Sequence, residues 1–377
     1  MHKTIILGGG ASGLFLASMI KDYVIIEHNK EIGAKLKISG GGKCNITNKK
    51  VSFENYNPSH QLIKKTLNNQ ELLKWLKKRD IKTYEIKKNQ LFLKDAKILV
   101  NKLKNEIKNI SLNTTIISVK KEDNLFIVKT NKGVFKSKNL VIALGGVSFA
   151  NLGATDLGYN IAKQFNHTIT PLKPALVGLT VQKSEFWFKE LSGISILADV
   201  KINNKNFRQN ILFSHRGITG PAILNASLYW EKGDIEIDFL AGKNIYSLLK
   251  NKEKIISTQL PLPKRFAKLF LTQLNIEDKK VKFLSKKELE KLALFNSYKF
   301  SPAGTFGFKR AEITKGGVCL DEVNEYFESK FVKNLFFIGE VLNANGELGG
   351  YNLLFAFSSA YKAAKKINSA PHSNKDL

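Results

Sequence analysis

Apolar and polar positions repeat with two different periods along this chain, and the changes of period mark its organisation. Thr4 to Leu7 is a short apolar run that ends in glycines, Gly13 to Lys21 carries apolar residues at helical spacing, and Tyr23 to Glu27 is apolar up to its last residue. That order predicts strand, glycine turn, helix and strand, a βαβ unit. From Leu62 to Lys78 and from Ala96 to Ile107, apolar residues recur near helical spacing with lysines between them, predicting two surface helices. Thr115 to Lys120 and Leu125 to Thr130 flank the polar turn Glu122-Asp123-Asn124 and predict a strand pair. Val134 to Lys136 continues that ribbon before a further apolar strand, Asn139 to Leu144.

After Pro171 and Pro174 the pattern changes to short alternating strands, Ile194 to Ile202, Phe207 to Ser214 and Asp234 to Leu240, a β-rich unit distinct from the first. Between Ile245 and Tyr298 the chain turns helical and lysine-rich, with Pro261 and Pro263 as a break. Near Ala311 the strand and glycine signals return. Asn334 to Ile338 reads as a buried strand ending at Gly339-Glu340, followed by a glycine loop and a closing helix, Phe355 to Ile367, so the C-terminal part is expected to rejoin the first domain.

Composition narrows the setting. At 377 residues the chain exceeds what one hydrophobic core usually supports, so two or three units are expected. Two cysteines, Cys44 and Cys319, cannot build a disulfide framework, and nothing resembles a secretion signal, which points to the reducing cytoplasm. No apolar segment approaches the about 20 residues that span a bilayer. The net charge of +28 suits a polyanionic partner, yet only five of the 60 basic residues are arginine, and the richness in Lys, Asn and Ile also suits a general compositional bias. Both readings stay open.

The chemistry concentrates in glycine loops. Gly8-x-Gly10-x-x-Gly13, with Ala11 and Ser12 inside it, follows a strand and opens a helix, the setting in which such a loop holds a dinucleotide diphosphate. Glu27, at the end of the second strand, is placed to accept from ribose hydroxyls and to repel a 2′-phosphate, favouring FAD or NAD over NADP. Ser39-Gly40-Gly41-Gly42-Lys43-Cys44-Asn45, continuing to Thr47, combines glycines with many donors able to approach phosphate or a flavin ring. Ala143-Leu144-Gly145-Gly146 would let the chain pass close to a cofactor, Gly339-Glu340 offers a carboxylate to a ribityl chain, and Gly349-Gly350-Tyr351-Asn352 precedes a helix whose amides could face the electron-rich end of a flavin. Two residues are candidates for acid–base chemistry. Cys44 lies in a cofactor loop, although a lone cysteine is more often a small buried hydrophobe, and His215 lies in the Ser214 to Pro221 turn, where a structural role competes equally. His2, His60 and His372 attract no role, and no His/Cys spacing suggests a metal site.

These pieces, Gly8 to Gly13, Ile38 to Asn48, Leu144 to Gly158, Ser214 to Leu224, Ala311 to Val318, Glu328-Ser329-Lys330 and Gly339 to Leu353, resemble the bacterial BaiN-like flavoproteins, also called NAD(P)/FAD-dependent or aminoacetone-oxidase-like oxidoreductases. The resemblance implies an α/β fold: a discontinuous Rossmann-like FAD domain of the glutathione-reductase type with an inserted β-barrel and a small helical domain. The expected boundaries are 1–175 and 310–377 for FAD binding, 176–243 and 298–309 for the barrel, and 244–297 for the helical insert. His28, Lys35, Val119 and Leu353 complete the expected FAD-binding set. Departures from the pattern fall at Val147, Phe149, Ala150, Leu354 and Phe355 and touch substrate choice.

The family is connected with oxidation of a small amine, reduction of steroid-like enoyl substrates and reduction of a uridine in large-subunit ribosomal RNA. The expectation is an FAD oxidoreductase reducing a conjugated double bond of a ribosomal RNA uridine, with phosphates held by a basic insert such as Lys250 to Lys291. Alternatives are an amine oxidase returning electrons to oxygen and a non-enzymatic flavin- or RNA-binding protein. No second strand, GxGxxG and helix unit exists, so NAD(P)H, if used, would bind transiently over the flavin.

Overall fold

The apolar run at the start forms β1 (His2–Leu7), the segment after the glycines forms α1 (Ala11–Ala17), and β2 (Tyr23–Ile26) lies parallel to β1. The computed structural model describes residues 2–369, and His372 lies outside them. The chain divides into two compact units, one built from the residues up to Lys173 together with those from Ile313 onward, the other from Pro174–Glu312.

The first unit is organised by one sheet. The strand Gly133–Ile142 lies parallel to β1, and β2 continues the sheet to Ile110–Ser111 on the other side. The two expected strands near Val134 and Asn139 are one continuous strand, because it serves two partners in turn. Its first half pairs antiparallel with Leu125–Thr130, and its second half, Leu140–Ile142, pairs parallel with Leu335–Phe337 from near the C-terminus. Polar Ser137 at the changeover stays buried by donating its hydroxyl to the carbonyl of Asn139 at 2.7 Å.

Two helix expectations are corrected. Leu62 to Lys78 is broken into Gln61–Thr66 and Asn69–Lys77 because Asn68 leaves helical geometry and its side chain accepts from the Glu71 amide, capping a new start. The closing helix runs Tyr351–Ser369, beginning before Phe355, and Ala356, Ala360 and Ala363 on its buried face allow close packing over α1.

The second unit is a seven-stranded antiparallel sheet. Its two edge strands, Tyr298–Phe300 and Pro302–Thr305, are joined through Ser301 alone, so the sheet must curl until its edges approach each other, giving a nearly closed barrel. The apolar helix Pro221–Tyr229, with Pro221 in its first turn, packs on three of its strands. The helices of the lysine-rich stretch, Ile245–Leu248, Lys264–Gln273 and Lys286–Leu292, turn their apolar sides to the same core: Phe266 and Phe270 join Trp187, Phe213 and Phe239 in one aromatic cluster. Phe266 is fully buried in this cluster, so Phe266→Ala is expected to destabilise the second unit by about 3–5 kcal/mol. A urea titration followed by aromatic fluorescence checks this, and an unmoved midpoint would contradict the shared core.

Candidate dinucleotide site

The site begins where β1 ends. At Gly8, with φ 105°, an added Cβ would lie 2.5 Å from the Ala143 carbonyl oxygen, and at Gly13 it would lie 2.1 Å from the Gly8 carbonyl oxygen. The protein's own packing therefore demands both glycines. Gly10 differs. Its backbone, φ −81° and ψ −170°, suits any residue, and a Cβ built there meets nothing within 4 Å. Neither conformation nor packing explains glycine at this position.

Acidic and hydroxyl side chains brace this turn. Glu27 is buried and holds two amides, Gly9 N–H at 2.7 Å and Asn29 N–H at 2.8 Å, with His28 Nδ1 3.2 Å from the same carboxylate. Ser12 in the first turn of α1 is buried against Gly339, where a Cβ would stand 2.6 Å from the serine oxygen, and Ala11 lies half-buried beside it. The Gly339 amide donates to Ser359 Oγ of the closing helix at 3.0 Å. Glu340 next to it accepts from Lys35 Nζ at 2.7 Å and from the Thr314 amide at 2.9 Å. Thr314 Oγ1 in turn accepts from the Val147 amide at 2.9 Å and fills the space beside Gly146, while Gly145, with φ 70°, faces open space after Ala143 and Leu144.

The second glycine loop meets the C-terminal one. Gly41 and Gly42 adopt left-handed conformations, with φ 65° and 83°, and face open space; Gly40 packs against Asn45. Ser39 Oγ donates to the Leu36 carbonyl, and Lys43 is exposed. Asn45 donates to Gln90 Oε1 at 2.9 Å, while its Oδ1 is buried and has no partner in the protein. Thr47 donates to Asn69, and its backbone leaves no room for a Cβ at Gly350, 2.7 Å away; Asn48 donates to the Gly349 carbonyl at 3.2 Å. Tyr351 donates its hydroxyl to the Lys50 carbonyl, Asn352 makes two hydrogen bonds to the backbone of Gly346, and Leu353 packs half-buried on the core. Burial pushes the Tyr351 phenol up to about 12, keeping it neutral.

Two expected residues lie on other elements. Val119 is buried in the strand Ile116–Glu122 with its carbonyl already accepting from Gln164 at 2.6 Å. His215 belongs to the second unit, exposed in the turn between Lys205–Ser214 and Gly217–Thr219. Cys44 is fully enclosed in the core of the first unit, and burial pushes its thiol up to about 12.

Gln90, Asn69, Ser359 and Thr314 were not singled out from the sequence, nor was Tyr56, which is fully buried and donates to the Tyr351 carbonyl at 2.7 Å. Only Thr314 carried a signal, lying within Ala311 to Val318. Among the described residues no group of His, Cys, Asp and Glu could hold a metal ion, and no helix is long and apolar enough to cross a membrane.

Residues 2–366 match the family model described as the HI0933-like protein Rossmann domain. A ribosomal RNA dihydrouridine synthase of Haemophilus influenzae is 35% identical, over 97% of this chain and 98% of its own length. A 3-dehydro-bile acid delta(4,6)-reductase of Clostridium scindens is 24% identical, over 98% of this chain and 100% of its own. Among solved structures, 3-ketosteroid-delta4-(5alpha)-dehydrogenase from Rhodococcus jostii RHA1 superposes with a TM-score of 0.50 at 11% identity, over 97% of this chain and 96% of that one, a likeness of fold. The resemblance and the fold class expected from the motifs are borne out.

The enclosed thiol gives a direct prediction. With ionisation displaced to about 12, the thiolate fraction rises only in strongly alkaline solution, so near pH 8 native Cys44 should resist iodoacetamide while half-buried Cys319 reacts faster. Mass spectrometry of native and urea-unfolded protein checks this; equal labelling of Cys44 in both states would contradict its enclosure.

Proposed function

The chain belongs to the HI0933-like protein family, and on that premise we propose that it is an FAD-dependent oxidoreductase that reduces a conjugated carbon–carbon double bond, its substrate a uridine of large-subunit ribosomal RNA. The observation that carries the cofactor reading is Gly10, a glycine that the protein needs neither for conformation nor for packing. Asn45 Oδ1, a buried acceptor without a protein partner, fits a cofactor or substrate N–H. In this reading Gly8 to Gly13 hold the diphosphate, Glu27 accepts from the adenosine ribose, Glu340 from the ribityl chain, and Gly41, Gly42, Gly145 and Gly349 to Asn352 border the ring. When bound, FAD supplies two-electron hydride chemistry.

The rest falls to the chain. Adding hydrogen across the 5,6-bond of uridine takes a hydride and a proton. Cys44 is enclosed and burial holds its thiol protonated, so the proton comes from a group other than this thiol. The names of the relatives, one a dihydrouridine synthase and the other a delta(4,6)-reductase, support double-bond reduction over amine oxidation. NAD(P)H is the proposed electron source, binding transiently, and such a substrate places the protein in the cytoplasm.

Gly10→Val keeps an accessible backbone conformation and enters open space, so the FAD-stripped variant should keep the thermal midpoint of the stripped parent while FAD affinity falls on the order of 100-fold, about 2.7 kcal/mol. Flavin absorbance and titration of FAD into stripped protein measure this; full affinity in the variant would contradict the assignment. Deletion of the gene should remove a dihydrouridine from large-subunit ribosomal RNA, read by mass spectrometry of its nucleosides. An unchanged dihydrouridine content would contradict the RNA substrate.

A further inference from the structure

The glycine loop at Ser39 to Asn45 leads into a small sheet of which the cofactor reading uses only residues of the first strand. Asn45–Asn48, Gln90–Phe92 and Tyr84–Lys87 form three antiparallel strands, with Tyr84–Lys87 at an edge that pairs no further strand among the described residues. Asn45 stands opposite Phe92, and Phe92 opposite Tyr84, so the three side chains share one face. Gly40 of the glycine loop lies on this face, where a Cβ would be 3.4 Å from the Phe92 ring. The face therefore runs outward from the proposed cofactor loop to Tyr84, 47% exposed, with Ile86, 48% exposed, farther along the same strand. Large exposed side chains on an open edge strand are what folded proteins usually avoid.

Charge says what covers them. Residues 43–50 and 82–94 hold seven lysines, all exposed, against the single acid Glu85, which is already paired with Lys49. The nearby Asp95 is taken up in capping the next helix through the Lys97 amide. In the lysine-rich helical stretch compensation is greater: residues 250–291 hold twelve basic and five acidic residues, Lys280 and Lys282 share Glu253, and Lys279 pairs with Glu288. A second copy of this chain would bring the same lysines against themselves. An exposed aromatic ring among uncompensated lysines matches the chemistry of single-stranded nucleic acid, in which bases stack on the ring and phosphates meet the ammonium groups.

We infer that the Tyr84–Lys87 edge, with Lys82, Lys87 and Lys88 around it, is the docking surface for the single-stranded RNA segment that flanks the reduced uridine. This rests on the proposed function and adds to it the place where the RNA lies. The test uses the FAD-loaded protein and a fluorescein-labelled single-stranded RNA of about 12 nucleotides, read by anisotropy. Tyr84→Ala should weaken binding about 5- to 100-fold and Tyr84→Phe should restore it, with flavin absorbance unchanged in both. The double variant Lys87→Glu, Lys88→Glu should weaken binding and flatten its dependence on salt.

Undiminished affinity in Tyr84→Ala and in the double lysine variant would overturn the surface, as would a loss confined to Lys252→Glu, Lys254→Glu in the helical stretch. A dimer that disappears in Tyr84→Ala while RNA affinity stays constant would assign the edge to a second copy and equally overturn it. These outcomes leave the proposed function standing; that reading fails separately, if deletion leaves ribosomal dihydrouridine unchanged.

Discussion

Backbone packed against backbone at the carboxyl end of β1 is the constraint on which the first unit depends. The Gly8 carbonyl lies where a side chain at position 13 would begin, and the Ala143 carbonyl lies where one at position 8 would begin. Only glycine allows this approach, which lets α1 settle on the sheet and draws in the end of the strand Gly133–Ile142. Ser12 then reaches Gly339, and Gly339 is held by Ser359 of the closing helix, so segments more than 300 residues apart meet over one turn. Against this crowding, the open space beside Gly10 stands out.

Polar side chains fix the surroundings of that space. Glu27 and Glu340 each hold a backbone amide, and such charge-assisted bonds to neighbouring loops resist the drift that glycine-rich backbone would otherwise allow. Tyr56, enclosed in the core, pins the first residue of the closing helix through its carbonyl, and Asn352 pins Gly346 twice. The flexible-looking loops are therefore tied at several points. Among the described residues three buried side-chain atoms lack a hydrogen-bond partner, Asn45 Oδ1, the Tyr159 hydroxyl and His167 Nδ1, and of these Asn45 Oδ1 can only accept.

Much of this was legible in the sequence because glycine and carboxylate positions follow a strand–turn–helix logic that local pattern carries. The βαβ unit and the strand near Asn334 were read to within a few residues. Side-chain capping at Asn68 was not, since apolar spacing continues across it, and the closing helix was placed late because Gly349 and Gly350 disguise a start at Tyr351. The dual pairing of Gly133–Ile142 depends on a strand nearly 200 residues away, which no local pattern encodes. Gln90, Asn69 and Ser359 are ordinary polar residues given their roles by tertiary neighbours. The hairpin that carries Tyr84 lies in a lysine-rich run whose few apolar residues, Tyr84 and Ile86, are too sparse to mark a strand.

In the proposed reading, Gly10 and its neighbours form the seat of an FAD diphosphate. A crystal structure of the protein grown with FAD tests this most directly. Density for the diphosphate is expected against the Gly10 backbone, with the adenosine ribose at Glu27 and the ring bordered by Gly41, Gly42 and the Gly349–Asn352 segment. FAD ordered elsewhere on the molecule, or a Gly10 turn left without it at saturating FAD, would contradict the claim.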